Sequence, residues 1–227
     1  MTITTETFTG FRPEAIQFLA DLAENNDRAW FAPRKADYER LLKSPLEALC
    51  VALDEAFRAR GIPLTADPGQ SPFRIYRDVR FSKDKSPYKT NVGASFPWAG
   101  DGQARPGGYF HLSPGEIFVG GGMWHPEPAP LAAFRTMVDR EPARIHAIVD
   151  EPGFTSTFGD LVGNRLTRVP KGFPPDHLDA ELLKLKDVGF WRALSDRDVE
   201  SVQLVDLMAD TLAVGRPLLQ LLASLPA

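Results

Sequence analysis

Gly108-Tyr-Phe-His-Leu-Ser-Pro-Gly-Glu-Ile-Phe-Val-Gly120 is the stretch that decides the fold class of this 227-residue chain. It predicts two strands, Gly108–Leu112 and Glu116–Gly120, because strands are short apolar runs bounded by turn residues. The tetrapeptide Ser113–Glu116 between them carries Pro and Gly at the central positions, where a type II turn requires them. The stretch therefore predicts two sequential strands joined by a tight turn.

Further strands and helices are predicted on either side of this pair. Asn91–Trp98 reads as a strand, and so does Phe73–Phe81, in which every second residue is apolar except Arg77. Arg165–Val169 is a plausible strand, and Val188–Leu194 is either a strand or an irregular apolar segment. Apolar residues at helical spacing predict helices over roughly residues 13–25, 28–42, 44–60, 131–139, 142–150, 181–186 and 203–222, the last broken at 215–217.

The order of these elements defines the fold class. Helices at both ends of the chain surround a central group of strands, which predicts an α+β fold with a mainly antiparallel central sheet flanked by N- and C-terminal helices. No linker divides the sequence, so we expect one domain over residues 1–227. Residues 1–10 are expected to form a poorly ordered N-terminal tail.

Composition excludes several classes of protein. The chain has 26 Lys and Arg against 30 Asp and Glu, a net charge of −4, which argues against sequence-independent coating of nucleic acid. No apolar run approaches the length needed to span a bilayer, and the N-terminus does not have the pattern of a signal peptide. The single cysteine, Cys50, excludes an internal disulfide and a thiolate metal cluster. We therefore expect a cytoplasmic protein that does not interact with membranes.

One segment departs from this acidic balance. Residues 74–89, called the basic segment below, hold six cations and only two acids, Asp78 and Asp84, for a net charge of +4. Such a cluster repels itself unless an anion neutralises it. The anion is either a ligand, held through guanidinium and ammonium groups, or the carboxylates of the protein itself.

Ligand binding is the first interpretation of the basic segment. If the strand that carries Arg77 and Arg80 pairs with the next one, Arg80, Lys85 and Lys89 converge on one anion. Arg77 interrupts an apolar face, which indicates a buried ion pair, a bulge or an inward-pointing functional charge. The predicted ligand-binding residues are Arg77, Arg80, Lys85, Tyr88, Lys89, Trp124 and Lys171.

The run Arg77-Asp-Val-Arg-Phe-Ser-Lys-Asp-Lys-Ser-Pro-Tyr-Lys-Thr90 resembles the hallmark of the uncharacterised domain-of-unknown-function family 2461. Three other parts of the sequence also match that family, so the resemblance covers nearly the whole chain. It implies a single domain, and it implies no reaction, cofactor or partner. These parts are the N-terminal region with Phe11 and Asn25-Asn26, His111–Pro114 with Gly120–Glu127, and Arg168–Pro174 continuing through Asp176-His177 to Leu182–Lys186.

Two of the matching stretches carry candidate features of their own. The amides of Gly120-Gly121-Gly122 are able to cradle phosphate, although small residues that let Trp124 or another strand pack closely are the favoured explanation. Lys171 lies in a turn between two prolines, which either aims it at a ligand or leaves it solvated.

The sequence contains no complete catalytic motif. The four histidines lack metal-ligand spacing, so no metal and no cofactor is expected. His111 is the weak candidate for acid–base chemistry, because it should face away from its apolar neighbours and lie beside Tyr109. Neither Ser82 nor Ser86 has an identifiable His–Asp pair to activate it.

These residues indicate that the protein binds an anionic small molecule that carries phosphate or carboxylate. If there is catalysis, the predicted reaction class is phosphate-ester chemistry. Two alternatives stay open. The basic segment could dock on an acidic protein or on nucleic acid, or its cations could pair internally in a structural ion-pair network. The sequence leaves enzymatic activity and oligomeric state open.

Overall fold

The computed structural model describes residues 7–80 and 82–226. It has the predicted α+β architecture, with helices packed on a four-stranded antiparallel sheet whose strands lie side by side in chain order. The strands are β1 (Val92–Pro97), β2 (Gly107–Ser113), β3 (Glu116–Met123) and β4 (Val188–Ala193). The predicted turn joins β2 to β3, and Gly115 has the positive φ, 77°, that a type II turn needs at this position.

The helices precede and follow the first three strands, as the apolar spacing predicted. The N-terminal helical region continues from α2 through a 3₁₀ turn (Ala32–Arg34), α3 and a π turn (Glu39–Lys43) into α4. The helices are α1 (Pro13–Glu24), α2 (Arg28–Phe31), α3 (Lys35–Tyr38), α4 (Ser44–Arg60), α5 (Pro128–Arg140), α6 (Ala143–Val149), α7 (Pro152–Phe158), α8 (Ala180–Leu183), α9 (Asp196–Val199) and α10 (Leu204–Ala223).

One face of the sheet forms the centre of the core. Phe96, Phe110, Val119 and Phe190 project from successive strands and are almost completely buried, and α10 packs against β3 on this side. Gly215 lies directly against the Phe190 ring, where a Cβ would collide with it. Close approach of α10 to the sheet therefore depends on a residue without a side chain.

The opposite face of the sheet carries exposed and half-buried side chains in the described residues and is called the open face. Residues of one row across it are Ser95, Tyr109, Gly120 and Trp191, which the strand register places directly beside one another. Trp191 is 42% exposed. Large aromatic side chains thus occupy positions where an antiparallel sheet with one solvated face ordinarily carries polar residues.

The basic segment differs from its predicted form. Residues 73–80 are extended but form no regular strand, and Phe81 lies outside the described residues. Only isolated bridges connect this part of the chain, from Pro72 to Ala94 and from Tyr76 to Tyr88. Pro87 accepts a hydrogen bond from the Arg77 backbone N–H but has no N–H to return, which interrupts the ladder beside the Tyr76–Tyr88 bridge.

Three further differences are local. Arg165–Val169 forms a single bridge to Leu185 instead of a strand. The C-terminal helix continues through Gly215 and Pro217 without the predicted break. Residues 1–6 lie outside the described part of the chain, but Phe8, in the predicted N-terminal tail, is 3% exposed and packs on the core. Within residues 7–80 and 82–226, no helix combines the length and the apolarity that a membrane span requires.

Candidate functional site

A groove of about 570 Å³ lies on the open face of the sheet. Its floor is formed by β2, β3 and β4, and Trp124, Arg105 and Phe73 lie at its sides. Small-molecule sites are concave, apolar and of a few hundred cubic ångströms, so the dimensions are those of a ligand site. The groove is lined by Phe73, Ser95, Arg105, Gly107, Gly108, Tyr109, Phe118, Gly120, Gly121, Gly122, Met123, Trp124, Val162, Gly189, Phe190 and Trp191.

Glycines leave the floor of the groove bare. Gly107, Gly122 and Gly189 are paired across β2, β3 and β4 in one row. Gly122 has a φ of 142°, and a Cβ there would collide with the Val188 carbonyl oxygen. At Gly120 a Cβ would collide with the Phe190 carbonyl oxygen. The structure therefore supports the interpretation that these glycines let a neighbouring strand pack closely. Because the glycines have no side chains, they also leave the space above the sheet that forms the groove.

Aromatic rings form the apolar part of the groove. Phe73, Tyr109, Phe118 and Trp191 contact one another in series, with ring centroids 6.0, 5.8 and 5.1 Å apart. Phe73 is 43% exposed although the alternation of its segment predicted a buried position. Several exposed rings side by side mark a surface that is suited to an apolar or flat partner.

The carboxylate of Asp187 fixes the position of Trp124. It is buried and accepts hydrogen bonds from the His125 backbone N–H at 2.7 Å and from the backbone and side chain of Asn164 at 3.2 and 2.6 Å. Burial raises the pKa of Asp187, but these hydrogen bonds outweigh burial and leave the pKa below its usual value. His125 has a left-handed backbone, φ 49°, which is uncommon for a residue with a side chain, so Asp187 holds a turn that presents the exposed Trp124 to the groove.

Two positively charged side chains lie at the groove. Arg105 lines it directly, and the Lys89 ammonium is 5.1 Å from the centre of the Phe73 ring. Burial and the charge of Arg74 lower the pKa of Lys89. Within residues 7–80 and 82–226, none of Arg74, Lys89 and Arg105 forms an ion pair with a carboxylate.

Three other cations of the basic segment, Arg77, Arg80 and Lys85, already have partners. Arg77 forms an ion pair with Asp84, and Arg80 donates two or more hydrogen bonds to the Asp78 carboxylate. Lys85 donates to the Val79 carbonyl oxygen at 2.9 Å. Ligand binding by Arg77, Arg80 and Lys85 stays a prediction, and it requires an anion to compete with these intramolecular partners.

Tyr88 is placed in the core instead of at a ligand surface. Its ring is 5% exposed and stacks on Phe31 at 4.1 Å between centroids, and burial raises its pKa. Asn26 holds the Tyr88 backbone through a pair of hydrogen bonds, each 3.0 Å. Tyr88 therefore anchors the basic segment, and a direct contact between Tyr88 and a ligand stays a prediction.

Lys171 is exposed in its turn and is not part of the groove lining. Of the seven predicted ligand-binding residues, only Trp124 lines the groove. Lys89 contacts the ring of Phe73, which is a lining residue. The structure thus brings Trp124 and Lys89 to the same side of the molecule as the groove and does not bring the other five into its lining.

His111 lies on the open face beside the groove and makes several polar contacts. Its Nδ1 is 3.1 Å from the Tyr109 hydroxyl and 3.5 Å from the Asn91 side-chain amide, and its Nε2 is 3.2 Å from the Ser113 hydroxyl. The ring stacks on Phe118 at 5.0 Å. Burial lowers the pKa of His111, and the nearby Glu116 carboxylate opposes this only in part, so the site favours the neutral imidazole.

No group of three or more His, Cys, Asp or Glu side chains in the described ranges converges as a metal site would require. The residues that line the groove carry aromatic rings, glycine backbone, the hydroxyls of Ser95 and Tyr109 and the guanidinium of Arg105. These groups contact and orient an organic molecule by stacking, hydrogen bonding and charge.

Sequence reasoning missed most residues of the groove. Arg105 lies outside every predicted helix and strand, and Phe73, Phe118 and Trp191 lie in predicted strands or apolar segments for which no ligand contact is predicted. A signal was present, because Tyr109, Phe118 and Trp191 fall on the face opposite the buried one. Large aromatic residues at predicted solvated positions indicate a functional surface.

Comparison with known proteins gives one match. The model of a family described as conserved hypothetical protein, DUF2461, matches residues 14–221. Searches of curated proteins and of solved structures found no match.

Proposed function

The chain belongs to the DUF2461 family, and from its groove we propose that it binds a small organic anion with a flat apolar body. The flat part lies over the glycine floor against Phe73, Trp124 and Trp191. The anionic group, a phosphate, carboxylate or sulfonate, lies towards Arg105 and Lys89.

The observation that carries this proposal is the series of exposed rings around a bare glycine floor. Phe73, Trp124 and Trp191 are 43%, 60% and 42% exposed, whereas large aromatic side chains are highly buried on average. Exposed apolar surface of this kind is maintained where a partner covers it. A groove of about 570 Å³ holds a molecule of one or two rings and excludes a folded domain.

Charge favours an anion over a neutral ligand. Arg105 and Lys89 lack a carboxylate partner within the described residues, in contrast to Arg77 and Arg80. The lowered pKa of Lys89 means that its charged form is under-solvated. A bound anion would restore favourable interactions for that charge.

A direct test is titration with 8-anilinonaphthalene-1-sulfonate, a flat aromatic anion whose fluorescence rises in apolar sites. We expect saturable binding with one equivalent per chain. Trp191→Ala and Phe73→Ala should each weaken binding about tenfold, the cost of losing one buried aromatic contact. Leu178→Ala is the matched control, since Leu178 is fully exposed and outside the groove.

The charge contribution is tested by a pair of lysines in the basic segment. Lys89→Gln should weaken binding about fivefold, since a partly exposed charge contributes up to about 1 kcal/mol. Lys83→Gln removes an exposed lysine that is not part of the groove and should leave binding unchanged. Unsaturable dye binding by the folded protein, or equal effects of Trp191→Ala and Leu178→Ala, would refute the proposal.

Phosphate-ester chemistry remains a prediction within this proposal. Arg105 and Lys89 would stabilise the negative charge that develops as water attacks the phosphorus, the ester P–O bond breaks, and phosphate and the alcohol or phenol are released. The substrate p-nitrophenyl phosphate combines a flat ring with a phosphate ester, so it suits the same groove. Release of p-nitrophenolate that is abolished in Arg105→Gln would establish the activity, and binding without turnover would restrict the function to binding.

The alternative of an interaction module for nucleic acid has one observation in its favour. Aromatic rings on an open antiparallel sheet are able to stack on the bases of a single strand. The net charge of −4 opposes this, because phosphate contacts supply most of such affinity. Single-stranded oligonucleotides that bind at least tenfold tighter than mononucleotides, with steep salt dependence, would favour the module. A cytoplasmic location stays a prediction alongside both functions.

A further inference from the structure

Tyr109, His111 and Ser113 form a chain of three hydrogen bonds on the open face, and the chain ends at the Glu116 carbonyl oxygen. Ser113 donates its hydroxyl proton to the Glu116 carbonyl oxygen at 3.2 Å. Its oxygen therefore accepts from His111, whose Nε2 lies 3.2 Å away. A neutral imidazole that carries its proton on Nε2 has an unprotonated Nδ1. The Ser113 contact thus decides which nitrogen of His111 is the acceptor.

Two other groups agree with this tautomer. The side-chain amide of Asn91, a hydrogen-bond donor, faces Nδ1 at 3.5 Å. The Glu116 carboxylate, an acceptor, lies 3.9 Å from Nε2. Both contacts favour a lone pair on Nδ1 and a proton on Nε2. The Tyr109 hydroxyl, 3.1 Å from Nδ1, must then be the donor in its bond to His111.

This tautomer of His111 determines whether Tyr109 donates or accepts a hydrogen bond toward a ligand. A phenol has one proton and also accepts hydrogen bonds, and the proton of Tyr109 is engaged by His111. The Tyr109 side chain lines the groove, with its hydroxyl above Gly93. Only the lone pairs of that oxygen remain for a bound molecule.

We infer that Tyr109, oriented by His111, acts as a hydrogen-bond acceptor in the groove and selects ligands that carry an O–H or N–H group there. This inference rests on the proposed function and names the ligand more closely, as a flat anion that bears a hydroxyl or amino donor. An ether or carbonyl oxygen at the same position would face the Tyr109 oxygen without a proton between them. Tyr109 is a specificity-determining residue, and His111 is its positioning residue.

The test uses naphthalene-2-sulfonates that carry a hydroxyl or a methoxyl group at each free ring position. Affinities are measured at pH 7.5 by displacement of 8-anilinonaphthalene-1-sulfonate. At least one hydroxyl compound should bind the wild type about tenfold tighter than its methoxyl counterpart, the effect of one hydrogen bond near 1 kcal/mol or slightly above. In Tyr109→Phe the two should bind equally.

Two more variants separate positioning from general damage to the groove. His111→Ala releases the Tyr109 proton, so the methoxyl compound should gain affinity relative to the hydroxyl compound. Trp191→Phe is the matched control, expected to lower both affinities by the same factor and keep their ratio. Folding of each variant is checked by circular dichroism and thermal unfolding.

The outcomes distinguish this inference from the function on which it rests. If the sulfonates bind but no hydroxyl compound outperforms its methoxyl counterpart, or if the preference survives in Tyr109→Phe, the acceptor role of Tyr109 is overturned and the groove proposal stands. If no compound binds the wild type, both are overturned.

Discussion

Single residues in this protein have roles that their neighbours along the chain do not reveal. His146 lies between two carboxylates, with Nε2 2.8 Å from Asp179 and Nδ1 2.9 Å from Asp150. Hydrogen bonds to Asp179, and secondarily to Asp150, raise the pKa of His146. Asp150 follows α6, whereas Asp179 precedes α8, so one imidazolium connects two separate parts of the fold.

The pH dependence of stability should therefore contain a contribution from His146. Because its pKa is raised in the folded state, the contribution is fully present below the unfolded value of about 6.5 and is lost as the pH rises through the folded pKa. We expect His146→Ala to reduce the free energy of unfolding by about 0.5 kcal/mol more at pH 5.5 than at pH 8.5, a small value because the side chain is partly exposed. Urea denaturation at the two pH values measures this difference, and an equal loss at both would contradict it.

At the scale of elements, adjacent asparagines after α1 differ in function. The side chain of Asn26 pairs with both backbone groups of Tyr88 and so attaches the basic segment to the N-terminal helices. Asn25 only donates to the Asp21 carbonyl oxygen at the end of its own helix. The first interaction is long-range, and the second is local.

Replacing each asparagine separately should give unequal effects. Asn26→Ala is expected to reduce the free energy of unfolding by about 2 kcal/mol, since it leaves two partly buried backbone groups without their partners. Asn25→Ala should cost about 0.5 kcal/mol or less. Chemical denaturation measures both, and hydrogen exchange should show lost protection at Tyr88 in Asn26→Ala only. Similar losses in the two variants would show that the attachment to Tyr88 contributes little.

Elements that are defined by local spacing were predicted well, and elements that depend on a partner were not. The helices α1, α4, α5 and α6 and the strands β1, β2 and β3 fall within a few residues of their predicted bounds. Ser44 and Glu47 have the sequence spacing of a capping box, but no capping box forms because the chain is already helical before Ser44. An N-cap residue has an extended backbone. The π turn that precedes Ser44 keeps the backbone helical there, so Ser44 does not act as an N-cap.

At the scale of the whole molecule, Asp187 connects segments that are distant in sequence. Its buried carboxylate joins the turn at His125 after β3, the loop at Asn164 and the start of β4. These hydrogen bonds hold the start of β4 against the end of β3, and they hold the turn that places Trp124 in the groove. Stability and the candidate site are coupled through this one side chain.

Asp187→Asn should be strongly destabilising at neutral pH. The added N–H₂ faces donors in place of an acceptor, so we expect a loss of about 2–3 kcal/mol in the free energy of unfolding. Because the pKa of Asp187 is lowered in the folded state, its contribution is present above the unfolded value of about 3.9 and is lost as the pH falls through the folded pKa.

Denaturation at pH 7 and pH 3 tests this, and the difference between wild type and variant should be smaller at pH 3. Asp160→Asn, at an exposed acid, is the control and should be neutral at both. A loss for Asp187→Asn no larger than that for Asp160→Asn would refute the role of the carboxylate. Fluorescence quenching compared between Asp187→Asn and the same variant with Trp124→Phe isolates the signal of Trp124 and reports whether the groove has lost its side wall.

The local pattern of residues along the chain predicted the α+β class, the β2–β3 hairpin and most helices, because the periodicity of apolar residues and turn chemistry act over a few neighbouring positions. It also identified the unusual concentration of charge in residues 74–89. Only the tertiary structure decided that Arg77 and Arg80 have carboxylate partners while Lys89 lies beside an aromatic groove, since ion pairing depends on which side chains meet in space. The groove itself arises from strand register, which aligns glycines of three strands in one row, and register is a property of paired strands that no single stretch of sequence contains.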